Sequence, residues 1–349
     1  MTTISIAMAT YNGEPFIRQQ LESLSQQSLL PSELIVCDDG STDSTLRILS
    51  EFSRSAPFPV TIFENPRRLG FTANFLQAVR ICNGDLIALC DQDDVWLPNK
   101  LRRILQATRE SDALLIAHAD EWIDRDGNSL NIVYPLDRRF QKYLQVNDFF
   151  GHSIVVRKSL LEMTKHSLTT EKYKEVAGDF DFGHDVLFLE VASAMNKVLF
   201  VPEVLVRWRV HSEVNHAWTN LLGTTSRKKV NVLDRIFPPD LSERYAEAAA
   251  SYRRHSNWLS NVIPDLAAYG GIAAQASVKL GDSMKLMMKR TDVMELRSRF
   301  YEKLSRGERI QLMRHGAAMG QYRLAKEGGV GPHNALRDIL AWLFLLPRK

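Results

Sequence analysis

The stretch Leu86-Ile87-Ala88-Leu89-Cys90-Asp91-Gln92-Asp93-Asp94 sets five apolar residues directly before three carboxylates. A short continuous apolar run of this kind fits a strand buried on both faces. Such strands belong to parallel sheets covered by helices, and ligands gather beyond their carboxyl ends. Three acidic side chains at that end repel one another, and a bound cation would relieve the repulsion. Hard ions such as Mg²⁺ and Mn²⁺ take carboxylate oxygens and leave positions for phosphate oxygens. The competing reading is an acidic turn that caps a helix beginning near Pro98-Asn99-Lys100.

Outward from this run, strand-like segments at 4–8, 34–37, 60–63, 86–90 and 114–117 alternate with amphipathic segments at 16–25, 44–52, 72–82 and 100–108. The alternation predicts an α/β fold with a mostly parallel, twisted sheet flanked by helices. Ala9-Thr10-Tyr11-Asn12-Gly13, Asp38-Asp39-Gly40-Ser41 and the acidic run then converge on one sheet edge. After Asp120 the pattern loosens. Asp124-Arg125-Asp126-Gly127-Asn128 is a turn signal. Residues 151–157 read as a strand leading into a helix at 158–165. An acidic loop at 178–185 enters a helix at 186–195, and a strand at 198–206 ends at Trp208-Arg209-Val210-His211. The basic stretch 227–239 closes in Pro-Pro, which marks a boundary. The expected division is a site-bearing domain over 1–220 and a basic, mainly helical region over 221–349.

The net charge of +3 hides an asymmetry: 221–349 holds 22 Lys+Arg against 12 Asp+Glu, whereas 1–220 holds 22 against 29. A basic tail half suits an anionic surface. Nucleic acid is not the expected partner, because no known motif or aromatic–basic interleaving accompanies the charge. Cys37, Cys82 and Cys90 are isolated, which fits a reducing compartment and neither a disulfide framework nor a zinc cluster. Met1-Thr2-Thr3-Ile4 lacks the basic start and apolar region of a signal peptide. No apolar run reaches the roughly 20 residues that span a bilayer. The expected location is cytoplasmic, peripheral on the inner face of the cell membrane.

Two successive aspartates, Asp38 and Asp39, exceed what capping of the next helix by Ser41 or Asp43 requires. A carboxylate there can accept from a nucleobase N–H or a ribose hydroxyl; cap and ligand both remain open. The chain has neither GxGxxG nor GxxxxGK[ST], so a bound phosphate needs a metal or basic side chains.

Taken together, Ala9-Thr10-Tyr11-Asn12-Gly13, Cys37-Asp38-Asp39-Gly40-Ser41-Thr42-Asp43, Asn65 with Gly70 and Asn74, and Asp91-Gln92-Asp93-Asp94-Val95-Trp96 resemble a family 2 glycosyltransferase of GT-A fold over about the first 215 residues. The finer resemblance is to bacterial rhamnosyltransferases of cell-surface polysaccharide synthesis. It implies a nucleotide-sugar site of Thr10, Tyr11, Asp38, Asp39, Asn74, Asp91 and Gln92, with Asp39 reading the base and Asp38 supporting it. It further implies a divalent cation, Mn²⁺ or Mg²⁺, on Asp93, with Asp91 at the ribose or in the metal shell and His211 completing the set. Asp94 orients that ligand or caps the next helix. Asp185, in Gly183-His184-Asp185, matches the catalytic base; Asp179 and Asp181 are rivals in the same loop, and a helix cap is the alternative.

The implied reaction is inverting, metal-dependent, non-processive transfer from a nucleotide-diphosphate sugar, such as dTDP-L-rhamnose, to a lipid-linked saccharide of O-antigen, lipopolysaccharide core or capsule. Alternatives are nucleotidyl transfer, disfavoured by the missing Gly-rich basic loop, and a silent glycan-binding scaffold, disfavoured by intact Asp93 and Asp185. Val186 stands where the family often has an aromatic, and no QxxRW element appears, although Arg207-Trp208 is superficially similar. His118, His152 and His184 read as packing or hydrogen-bonding residues, with Gly151-His152 beside the acceptor cleft. At 334–346, Leu336, Ile339, Leu340, Leu343 and Phe344 share one helical face with Trp342 nearby, too short to span but suited to a membrane interface or to docking on the protein.

Overall fold

The computed structural model describes residues 2–135, 149–165, 167, 183–211, 241–300, 308, 311, 312 and 314. Its strands are β1 (Ile4–Thr10), β2 (Glu33–Asp38), β3 (Val60–Glu64), β4 (Leu86–Cys90), β5 (Val95–Trp96), β6 (Leu115–Ile123), β7 (Ser129–Tyr134), β8 (Ile154–Arg157) and β9 (Val198–Arg209). The helices are α1 (Ile17–Ser25), α2 (Thr45–Ser53), α3 (Phe71–Ile81), α4 (Lys100–Thr108), α5 (Lys158–Met163), α6 (His184–Ala194), α7 (Leu241–Tyr269) and α8 (Gly271–Phe300). One sheet forms in the order β3-β2-β1-β4-β8-β6-β9-β5, with β7 paired to β6.

The block β3-β2-β1-β4 is parallel, as the alternation of strands and helices requires. Beyond β4 the sheet is mixed. β8 runs antiparallel to both β4 and β6, β9 is parallel to β6, and β5 is antiparallel to β9. Between β6 and β7 a tight turn reverses the chain and makes β7 an antiparallel neighbour of β6. Asp124 Oδ1 accepts the N–H groups of Asp126 and Asn128, and Gly127 takes φ 91°. Such a short connection can join only antiparallel neighbours.

Every residue of β1 and β4 is buried, so both faces of the central strands are covered. On α1, Ile17, Leu21 and Leu24 recur at helical spacing and are fully buried in the core with Ile6, Met8 and Val36. Each such side chain contributes about 1.5–3 kcal/mol relative to exposure. On α4, Leu101 and Ile104 do the same. The carboxyl ends of β1, β2 and β4 are thereby fixed side by side: Thr10 is in register with Asp38, and Met8 with Cys90.

The chain divides into two compact units, Met1–Ala217 with Pro264–Ser277 and Trp218–Ile263 with Val278–Lys349. Within the second, α7 and α8 are joined by polar contacts. Ser242 Oγ donates to the Ser298 carbonyl (2.9 Å), Arg297 Nη2 to the Tyr245 hydroxyl (3.0 Å), and Arg253 pairs with Glu295. No described helix is long and apolar enough to cross a membrane. The expected boundary stretch at 227–239, the loop at 178–182 with Asp179 and Asp181, and the helix at 334–346 lie outside the described residues.

Candidate active site

The edge formed by β1, β2 and β4 is built on carboxylates that hold backbone. Asp38 Oδ1 accepts Gly40 N–H (3.1 Å) and Ser41 N–H (2.7 Å), and its Oδ2 accepts the hydroxyls of Thr10 (2.8 Å) and Ser41 (2.6 Å). That is a supporting arrangement, with Thr10 tied into it. Asp39, 4% exposed, accepts Asn65 Nδ2–H (3.0 Å) and Leu69 N–H (2.6 Å) on Oδ1 and Gly70 N–H (2.8 Å) on Oδ2. It therefore fixes the 65–70 loop and keeps a lone pair on Oδ2. Asn74 is buried, its Nδ2 donating to the Cys37 carbonyl (2.8 Å) and its Oδ1 accepting from Asn65 (2.8 Å). Gln92 grips both backbone groups of Tyr11, accepting its N–H and donating to its carbonyl at 3.0 Å each. Asn74 and Gln92 thus shape the edge through the protein's own groups. Tyr11 is 36% exposed and carries the Arg68 guanidinium 3.9 Å from its ring centre.

The acidic run splits into three environments. Asp91 and Asp93 are about one-fifth exposed at their side chains, whereas Asp94 is fully buried. Asp94 does not cap α4, whose N-cap is Asn99. Its Oδ1 instead accepts the Arg209 N–H (3.0 Å), anchoring the end of β9. Burial pushes its carboxyl well above the usual range. Asp93 Oδ2 meets His211 Nε2 at 2.9 Å.

His152, which reads from the sequence as a packing or hydrogen-bonding residue beside the acceptor cleft, sits beside Asp91 of the run. Its Nε2 is 3.2 Å from Asp120 Oδ2 and its Nδ1 3.7 Å from Asp91 Oδ2, with Phe150 and Trp208 stacked on its ring. Burial alone would lower its pKa, but the bonds to Asp120 and Asp91 outweigh it and carry the imidazole up to about 10. Lys100 Nζ donates to the His152 carbonyl (2.8 Å) over the Trp96 ring, and burial pulls that amine down to about 7. Neither His152, Lys100, Asp120 nor Arg209 was singled out as a site residue from sequence. The available signal was a set of charged side chains embedded in apolar, strand-like surroundings. His118 is a buried packing residue, kept neutral by desolvation.

Asp185 stands in the first turn of α6, where Gly183 is the N-cap, so it is not the cap residue. Its Oδ1 accepts the Val186 N–H (2.9 Å) and its side chain is part-exposed. The preceding His184 stacks on Phe75 at 4.1 Å between ring centres, and a Cβ on Gly151 would come within 2.6 Å of His184 Nε2. Gly151 adjoins His152, so packing connects the start of α6 to the acidic run.

Two groupings near the run could hold a cation. Asp91, Asp94 and His152 have ligand atoms within 4.8 Å of one another. In this group Asp94 gives Oδ1 to the Arg209 N–H, while its buried Oδ2 has no hydrogen-bond partner. Asp93 and His211 converge at 2.9 Å with part-exposed Asp91 alongside in sequence, a carboxylate–imidazole set that fits Mn²⁺. Both groupings offer carboxylate and imidazole atoms to a divalent cation.

Residues 5–164 match the model of Glycosyl transferase family 2. Residues 5–164 form a domain of that family. The glycosyltransferase is 29% identical over 227 residues to the dTDP-rhamnosyl transferase RfbG of Shigella flexneri, covering 59% of this chain and 73% of that one. Over 132 residues it is 34% identical to the chondroitin synthase of Escherichia coli, 38% of this chain but 19% of that protein's length. Its fold is similar to that of S. aureus TarS in complex with UDP, with a TM-score of 0.51, 16% identity, and coverage of 83% of this chain and 91% of that one. The expected GT-A architecture with a helical C-terminal region is thus borne out, and nucleotidyl transfer and a silent scaffold give way to glycosyl transfer.

Proposed function

We propose that this glycosyltransferase is inverting, divalent-metal-dependent and non-processive, and moves L-rhamnose from dTDP-L-rhamnose to a lipid-linked saccharide of the cell surface. The observation that carries the reading is the Asp93–His211 contact at 2.9 Å, beside the edge that holds Thr10, Asp38 and Asp39. Asp93, His211 and Asp91 would hold the cation. Bound there, a divalent ion supplies Lewis-acid stabilisation of the departing nucleotide diphosphate.

The protein's own residues do the rest. Tyr11 and Arg68 offer a flat, cationic wall for a nucleobase, and Asp39 presents its Oδ2 lone pair to a base N–H. Asp185 takes the proton from the acceptor hydroxyl as that oxygen attacks the anomeric carbon. Attack from the face opposite the leaving diphosphate inverts the centre, and the diphosphate oxygen keeps the bonding electron pair. The donor assignment draws support from the similarity to a dTDP-rhamnosyl transferase. The lipid-linked acceptor, the inner face of the cell membrane and a functional division near residue 220 draw support from the basic charge of 221–349.

A thermal-shift and transfer screen of nucleotide sugars with Mn²⁺ tests this directly. dTDP-L-rhamnose is expected to raise the unfolding temperature most and to be consumed. A response to another donor with none to dTDP-L-rhamnose replaces the sugar. Deleting 334–349 should abolish flotation with anionic vesicles, and unchanged flotation removes the membrane role of that segment.

A further inference from the structure

Arg209 ends β9 and is 1% exposed, yet its side chain makes four hydrogen bonds. Nε donates to the Asp93 carbonyl (2.8 Å), Nη1 to the carbonyls of Asp124 (3.2 Å) and Arg125 (2.7 Å), and Nη2 to Gln19 Oε1 (2.6 Å). Its own N–H binds Asp94 Oδ1. These partners come from the acidic run, the β6–β7 turn and α1, as far as 190 positions away. Phe16 fills the space between the two site elements, its ring centre 5.1 Å from the guanidinium carbon and 4.9 Å from the His211 ring.

A guanidinium has five N–H donors in a rigid fork, and four bonds at this spread are beyond an ammonium, which offers three donors from one point. The carbonyl held by Nε belongs to the residue that bears the proposed metal-binding carboxylate. The imidazole opposite it is two positions further along the same chain as Arg209. One side chain therefore fixes Asp93 and His211 to each other. We infer that Arg209 is the positioning residue of the Asp93–His211 pair and sets the site's affinity for a divalent cation without touching the ion. The inference rests on the proposed cation site.

Arg157 supplies the control. It also donates to three carbonyls, those of Ala113 (2.6 Å), Thr108 (3.1 Å) and Ser111 (2.8 Å), none of them in the acidic run. Mn²⁺ binding to the full chain without donor, followed by electron paramagnetic resonance, is compared for wild type, Asp93→Ala, Arg209→Lys and Arg157→Lys, with unfolding temperatures. Arg209→Lys is expected to bind Mn²⁺ about 10- to 100-fold more weakly, the range for residues that orient ligands. Arg157→Lys is expected to lose thermal stability and keep wild-type affinity. Wild-type affinity in Arg209→Lys, or equal weakening in both arginine variants, overturns the inference. Absence of Mn²⁺ binding by wild type removes the cation site and the positioning role together. Where Arg209→Lys does not fold, Gln19→Ala removes only the Nη2 acceptor. Weaker Mn²⁺ binding by at least about threefold then supports the role, and unchanged binding overturns it.

Discussion

His211 Nε2 lies 2.9 Å from Asp93 Oδ2 across 118 positions of sequence. The meeting depends on β9 running to Arg209 beside the acidic run, where the buried Asp94 carboxyl receives the Arg209 N–H. His211→Phe keeps a ring against Phe16 and removes the nitrogen. Its affinity for Mn²⁺ should fall by at least about tenfold while stability to urea changes by less than about 1 kcal/mol. Unaltered affinity would take His211 out of the cation site.

Asp185→Asn should leave donor binding intact and lower transfer by about 10²- to 10⁴-fold, the usual contribution of a positioned general base. Gly151→Ala probes the same place from behind, because its Cβ meets His184 Nε2 at 2.6 Å and must displace the His184 ring beside Asp185. Transfer should fall there too, with donor affinity preserved. Near-normal turnover of Asp185→Asn moves the base elsewhere.

Asp39→Ala strips acceptors from Asn65 Nδ2 and from the Leu69 and Gly70 N–H groups in a nearly closed setting. Leaving such donors unpaired costs about 1–3 kcal/mol each, less when the loop can turn them to water. Urea unfolding should show a loss of about 2–4 kcal/mol. A change below about 0.5 kcal/mol would mean that Asp39 serves the ligand and not the loop.

His152 and Lys100 give opposite pH dependences in one window. Folded His152 holds its proton up to about 10, against 6.5 unfolded, so its stabilisation is complete below 6.5 and lost as pH rises through 10. Folded Lys100 is neutral above about 7 while the unfolded chain stays protonated to 10.5, so stability rises between those values. In the wild type the two largely offset. His152→Gln should gain stability from pH 7 to 9.5 relative to wild type, and Lys100→Met should lose it, each by at most about 1.4 kcal/mol per pH unit. Parallel profiles for the two variants would contradict the assignment.

Much of this was legible in the chain because it is local. The run Leu86–Cys90 and the helix Lys100–Thr108 keep the bounds that their periodicity gives, and the Asp124 turn forms where Asp and Gly demand it. β5 was not legible: two residues, Val95–Trp96, carry no period and become a strand only by pairing with Val206 and Arg207. β7 was missed as well, since Asn131 interrupts it at φ 55° and its alternation is weak. Asp93 and Asp91 stood out because like charges cluster in sequence. His152 and Arg209 did not, because each acquires its role from partners that only the sheet brings near, Asp120 for one and Gln19 for the other.

Calorimetric titration of wild type and Asp93→Ala with the nucleoside diphosphate dTDP, with and without Mn²⁺, tests the cation site most directly. Wild type should bind dTDP at least about tenfold more tightly with Mn²⁺ than without, and Asp93→Ala should bind it equally weakly in both. Equal Mn²⁺ enhancement in the two proteins would contradict a cation held by Asp93 and His211.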